Sequence, residues 1–194
     1  MFSSRILVAA AMLGGLVATS ANAQGIKPSF SVEAGALYAS VNGDDFEGTD
    51  AGMGFDAQAR LGFGGFSIGA GYQRTSHDIE GLEESASVSS FFVEPRLALP
   101  MGMSSVSPYL MGRIGRVSNS LEESGIEAEA SGWSYGAGAG LNIAAASRVA
   151  LNVSAFYNGL SFGDYEVDGS EISDSNTSGG SFVLRAGLSI GLGR

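Results

Sequence analysis

The chain has 194 residues, with 30 glycines, four prolines, no cysteine and 20 acidic against 10 basic residues. Glycine without a Gly-X-Y period excludes collagen, and an apolar fraction of 44% argues against disorder. The missing cysteines exclude a disulfide scaffold and any thiolate metal site. A formal charge of −10 with Lys27 as the only lysine excludes the basic face that nucleic acid requires.

Residues 1–23 read as a secretory signal peptide. Arg5 supplies the positive start, Ile6 to Ala18 an apolar core of 13 residues, and Ala21-Asn22-Ala23 an A-x-A cleavage site. That core is too short to cross a bilayer as a helix. No cysteine follows for lipidation. The expected mature domain is 24–194.

Beyond Gln24 the dominant period is two. In Met53–Phe63, Met53, Phe55, Ala57, Ala59, Leu61 and Phe63 oppose Gly54, Asp56, Gln58, Arg60 and Gly62. Gly64-Gly65 reads as a two-residue hairpin turn, after which Phe66, Ile68, Ala70 and Tyr72 stay on the face of Phe63. The alternation returns with Trp133 to Ile143 against Gly132 to Asn142. It recurs with Val149 to Tyr157 against Ala150 to Asn158, and with Phe182 to Leu192 against Val183 to Gly191. Three strands are less regular: Phe30–Val41, Ser89–Leu99 with Pro95 inside it, and Val106–Val117. In the last, Arg113 puts Tyr109, Met111 and Gly115 on the polar side. Eight strands of about 9–13 residues result.

The connections alternate in length. Gly64-Gly65, Pro100–Ser105 and Ala144–Ser147 are short; 43–52, 75–86, 118–129 and 160–179 are long and hold 17 of the 20 acidic residues. An up-and-down meander gathers all four acidic connections at one end. The fold class is therefore all-β, an eight-stranded antiparallel up-and-down barrel.

Which face is outside follows from the polar positions. They carry Gly, Ser and Asn rather than the Lys, Thr and Glu of a solvated strand, and small residues suit a narrow lumen. The apolar face is almost free of charge, as hydrocarbon demands. Tyr38, Phe55, Tyr72, Phe91, Trp133, Tyr135, Tyr157 and Phe182 fall where strands meet the long connections, as an interfacial girdle does. A transmembrane barrel is the reading. A charge at Leu151, on the lipid face, is then expected to cost more than one at its lumen-facing neighbour Asn152.

With that pattern, Ser29–Arg194 resembles the small eight-stranded outer-membrane barrels of Gram-negative-type bacteria. That family includes outer membrane protein X and the transmembrane domain of outer membrane protein A. The glycine-alternating run Pro108-Tyr109-Leu110-Met111-Gly112-Arg113-Ile114-Gly115 is similar to a strand common among them. The chain departs from them at its end, Leu192-Gly193-Arg194, where members carry an aromatic residue. The resemblance implies the bacterial outer membrane, periplasmic termini, extracellular loops, contact with lipopolysaccharide and a monomer.

Charged residues on the polar face form the first candidate constellation. Glu33, Asp56 and Glu94 stand against Arg60, Arg96, Arg113 and Arg185, which reads as an ion network filling the lumen. A barrel this narrow is no general diffusion pore, so a selectivity filter is the lesser reading. His77 is the one candidate general base, and Ser76-His77-Asp78 reads as consecutive loop residues unable to line up as a triad. Asp164-x-Glu166-x-Asp168-Gly169 opens like a calcium loop but has Ser175 where the bidentate Glu belongs. It is expected to bind divalent cations loosely at most. Gly136-Ala-Gly138-Ala-Gly140 alternates as lumen packing, unlike a phosphate loop. The function expected is non-enzymatic, structural or surface-interacting, with no cofactor and no nucleic acid. The alternatives are a lipid-modifying enzyme of the lipid A deacylase kind and a narrow channel.

Overall fold

The computed structural model describes residues 28–43, 46, 48–79, 85–100, 105–123, 126–167, 170–172 and 178–192. The proposed signal peptide, residues 1–23, lies outside them. The described residues form nine strands: β1 (Ser29–Asn42), β2 (Gly52–Phe63), β3 (Phe66–Asp78), β4 (Ser85–Ala98), β5 (Val106–Glu123), β6 (Ile126–Ala146), β7 (Val149–Val167), β8 (Ser170–Ile172) and β9 (Ser178–Gly191). Each of β1 to β7 pairs antiparallel with the next; β9 pairs with β7 on one side and β1 on the other, closing the ring. The barrel thus has eight strands, and β8 is a short addition folded onto the end of β7.

Alternation decides the two faces. Leu61, Ile114, Leu151, Leu184 and Leu188 are exposed on the outer wall, whereas Asp56, Arg60, Glu94, Arg113 and Arg185 are buried in the lumen. This inverts a soluble barrel and matches a hydrocarbon solvent outside. The aromatic belt runs around the wall, with Tyr72 and Phe91 paired at 5.0 Å between ring centroids. Tyr157 pairs directly with Phe182. Strand β5 puts no aromatic in the belt; its outward residue there is Arg116, beside Trp133.

The short turns lie opposite the belt. Gly64 adopts φ of 69° between the paired Phe63 and Phe66, a left-handed conformation that costs glycine nothing. The last short turn is Ser147-Arg148 rather than Ala144–Ser147. A register shift between Ala144 and Ala146 carries β6 two residues further before it turns. Pro95 does not disturb the register: Val93 pairs with Ile114 and Arg96 with Met111. The β4–β5 pairing skips only Glu94 and Pro95, where the missing N–H falls.

The long connections are shorter than the sequence suggests. Strand β3 continues to Asp78 and β4 begins at Ser85, so half of 75–86 is ladder. Strands β5 and β6 pair out to Glu123 and Ile126, consuming nearly all of 118–129. Strand β7 runs to Val167 and leaves only part of 160–179 as connection. Beyond the membrane the outer face of a strand meets water, as the exposed Ser76 and Asp78 do, while Val117, Ala130, Leu160 and Phe162 still pack inside. The outer face therefore loses its apolar residues while backbone hydrogen bonding continues.

Candidate functional site

Four arginines and three carboxylates meet in the lumen. They come from β1 (Glu33), β2 (Asp56, Arg60), β4 (Glu94, Arg96), β5 (Arg113) and β9 (Arg185), all at inward positions of the two-residue period. Glu94, 0% exposed, is the hub. Its Oε1 accepts from Arg60 Nη2 at 2.6 Å and Arg96 Nε at 2.7 Å. Its Oε2 accepts from Arg113 Nε at 2.9 Å and also from Arg113 Nη2. Glu33 receives both terminal nitrogens of Arg96, at 3.1 and 3.0 Å, and Gln58 Nε2 at 2.8 Å. Arg185 Nε donates to both oxygens of Asp56 at 2.8 Å, while its Nη2 stands 3.8 Å from Glu33. Adjacent strands bring some of these groups together, but Arg96–Glu33 and Arg60–Glu94 reach across the interior. Those crossings are possible only because small residues leave the middle open.

Several partners escape a reading based on charge alone. Arg113 is held between the rings of Phe92 and Phe156, its Cζ 3.9 and 4.2 Å from their centroids. Arg96 lies 4.5 Å over Tyr109. Gln73 accepts from Arg113 Nη1 at 2.5 Å, and Asn152 accepts from Tyr109 at 3.1 Å and Arg185 Nη1 at 2.5 Å. The parity of Phe92 and Phe156 already points them inward, and that was the available signal. Gly138 and Gly140 make the space: a Cβ at Gly138 would collide with Phe156, and one at Gly140 with the Tyr109 ring. This accounts for the Gly-Ala alternation in β6.

His77 departs from the sequence reading. It is 2% exposed and sits inward on β3, not in a solvated loop, because the ladder extends past it. It lies five residues beyond Tyr72 on the loop side of the belt, outside the membrane span. Its Nδ1 is 3.1 Å from the Asp50 carbonyl and its Nε2 is 3.0 Å from Thr75 Oγ1. A carbonyl only accepts, so Nδ1 carries the proton and the neutral ring takes the Thr75 hydroxyl at Nε2. Burial pushes the imidazole pKa down, against the Asp50 bond and the charge of Asp78, which raise it. Ser76 and Asp78 alternate to the outer wall and are exposed.

Of the cation candidates, Asp164 and Glu166 stand in β7 and Asp168 lies outside the described residues. Among the described residues no group of three or more acidic or histidine side chains gathers to hold a metal.

A wall that is apolar outside and charged inside, closed by eight antiparallel strands, defines an integral outer-membrane barrel. The chain belongs to the outer membrane protein β-barrel domain family, whose model matches residues 8–189, and it resides in the outer membrane of Gram-negative bacteria. Among solved structures it is similar to Neisserial surface protein A, with 20% identity and a TM-score of 0.68 over 84% of this chain and 98% of that one. It also resembles Ail, the attachment invasion locus protein of Yersinia pestis, with 18% identity and a TM-score of 0.51 over 85% and 100% of the two chains. The N-terminal β-barrel domain of OprF from Pseudomonas aeruginosa gives 12% identity and a TM-score of 0.51 over 86% and 100%. These likenesses are of fold. No curated protein matches the chain.

Proposed function

We propose that this chain is a non-enzymatic surface protein. In this reading its barrel is closed by the lumen network and its acidic connections face the medium. The observation that carries the closed lumen is Glu94, fully buried and bonded to three arginines from β2, β4 and β5. Arginines clamped by carboxylates and aromatic rings occupy the middle of the bore. Opening it would strand buried charges without partners, which costs several kcal/mol per ion in roughly dry surroundings. His77 supports the non-enzymatic reading. Its ring is sealed between Thr75 and the Asp50 carbonyl, and the neighbouring Ser76 projects from the opposite face.

The 17 carboxylates of the connections set the character of the outer end. A polyanion such as sucrose octasulfate, held by Ail in one solved structure, would be repelled here. Cationic groups, or divalent cations bridging to lipid phosphates, suit it better, and Asp164, Glu166 and Asp168 form the densest run. The test of the closed lumen is planar-bilayer recording of the full-length mature protein, as wild type and as Glu94→Ala. Wild type is expected to give no steady current, and Glu94→Ala to give flickering openings. A steady ohmic conductance from the wild type would make the protein a channel.

A further inference from the structure

Between β1 and β2 the chain turns inward over the bore. Phe46 N donates to the Gly43 carbonyl at 3.0 Å, and Thr49 N donates to the Phe46 carbonyl at 3.2 Å. Gly43 and Gly48, at φ of 132° and 81°, supply bends that residues with a Cβ rarely adopt. The Phe46 side chain packs against Val117, Ala130, Leu160 and Phe162, inward residues of β5, β6 and β7. Its ring centroid is 6.3 Å from that of Phe162. Strands β5 and β6 stand opposite β1 and β2 in the closed barrel, so Phe46 reaches across the mouth. Gly179 on β9 leaves it room: a Cβ there would come 2.5 Å from the Phe46 ring.

The other end of this connection is tied to β3. Thr49 bridges to Ile79, Asp50 N donates to the Asp78 carbonyl at 2.9 Å, and the Asp50 carbonyl accepts from His77 Nδ1 at 3.1 Å. The imidazole lies flush with Gly52 on β2, where a Cβ would come 2.7 Å from Nδ1. A small cavity of about 20 Å³ lies beneath. It shares Val88, Val117 and Leu160 with the Phe46 contact and His77 with the tie. Among the described residues that line it, only His77 is ionisable.

We propose that the β1–β2 connection is a strap closing the extracellular mouth, with Phe46 as its stopper and the His77–Asp50 contact as its latch, and that protonation of His77 releases it. A protonated ring can no longer accept the Thr75 hydroxyl at Nε2, because both its nitrogens then donate. Its surroundings offer the new charge little. Gly52 on β2 and Ala86 on β4 are opposite it, and the cavity residues of β1, β5, β6, β7 and β9 are uncharged. Among the described residues Asp78, next to it on β3, is the one carboxylate acting on the ring. Burial already holds the imidazole below its ordinary pKa, the direction that this cost requires. Water stabilises a charged imidazole, and the strap keeps water from it. The strap lies above the ion network, so its release does not depend on whether that network conducts.

The chain has no cysteine, so a single introduced thiol reports on access to the cavity. Ser134→Cys, buried on β6 in the cavity wall, is reacted with a small methanethiosulfonate in the refolded barrel. Ser85→Cys, exposed on β4, is the reference at each pH, and Ser181→Cys repeats the measurement from β9. Heat-modifiable gel mobility is the folding control for every variant. At about pH 7.5 the buried thiols are expected to react at least about tenfold more slowly than the reference. Phe46→Ala is expected to remove most of that protection. Acidification to about pH 5 is expected to reduce it relative to the reference, and His77→Gln to abolish the acid effect. Reaction of both buried thiols at the reference rate would overturn the strap. Protection unchanged by Phe46→Ala would overturn the stopper. An acid effect that is missing with His77 in place, or that persists in His77→Gln, would overturn the latch.

Discussion

Glu94 shows how a buried charge is made tolerable, since each oxygen of this fully buried carboxylate accepts from a guanidinium. Removing that charge leaves Arg60, Arg96 and Arg113 clustered with Glu33 as the nearest remaining carboxylate. Glu94→Gln is therefore expected to cost about 3–5 kcal/mol in a urea titration of the barrel in lipid vesicles. Adding Arg113→Met should return part of that loss, because the pair then leaves together. A loss under about 1 kcal/mol for Glu94→Gln would mean that the lumen is wet enough to solvate its charges. His77 gives a pH dependence of opposite origin. Its folded pKa lies below the ordinary value of about 6.5, so its contribution is complete above that pH and declines as pH falls below it. Acidification to about pH 5 should loosen the β1–β2 connection that Asp50 anchors, read as faster proteolysis there, and His77→Gln should flatten that response.

The strands show where a sequence can and cannot be read. Inside the membrane the two solvents differ sharply, hydrocarbon outside and packed polar groups within, so Met53 to Phe63 and Val149 to Tyr157 alternate visibly. Outside the membrane the same ladder continues through Ser85–Ser89 and Ser118–Ser120 with water in place of hydrocarbon on the outer face, and the apolar-outside alternation disappears. This is why β3 was legible only to about Gln73 and why His77 looked like a loop residue. The charged members of the lumen network were legible from parity. Their cross-lumen pairing was not, because it depends on ring closure and on the space left by Gly138 and Gly140. Asn152 illustrates the difference. From parity alone a charge there should be milder than at Leu151, but Asn152 is 0% exposed and already accepts from Tyr109 and Arg185. Leu151→Arg, on the lipid-facing wall, should cost about 2–4 kcal/mol near midplane. Asn152→Arg would add a cation beside Arg185 and should be at least as damaging in the same folding titration.

At the scale of the whole molecule, three facts have one cause. The apolar wall, the polar bore and the girdle of Tyr72, Phe91, Trp133 and Tyr157 all follow from a closed sheet whose outer solvent is lipid. Closure removes both sheet edges, and the narrow bore left by eight strands holds Arg60, Arg96, Arg113 and Arg185 with Phe92, Tyr109 and Phe156. The charge distribution follows the same division. Glu33, Asp56 and Glu94 are buried in the lumen, whereas Asp50 and Asp78 are exposed beyond the girdle. A protein turned the other way, apolar inside and soluble, would need its exposed Leu61, Ile114, Leu151 and Leu188 in water, which no network inside could offset.

Trp133 tests this directly, because it is the only tryptophan and stands on the outer wall at the girdle, 44% exposed. The measurement is its fluorescence quenching, in the barrel folded into vesicles, by lipids carrying a nitroxide either near the headgroup or at the chain end, compared with aqueous acrylamide. Strongest quenching by the shallow lipid-borne nitroxide, weaker quenching by the deep one and little by acrylamide is the predicted result. Quenching by acrylamide with none from either lipid nitroxide would place the apolar face away from the bilayer and contradict the account.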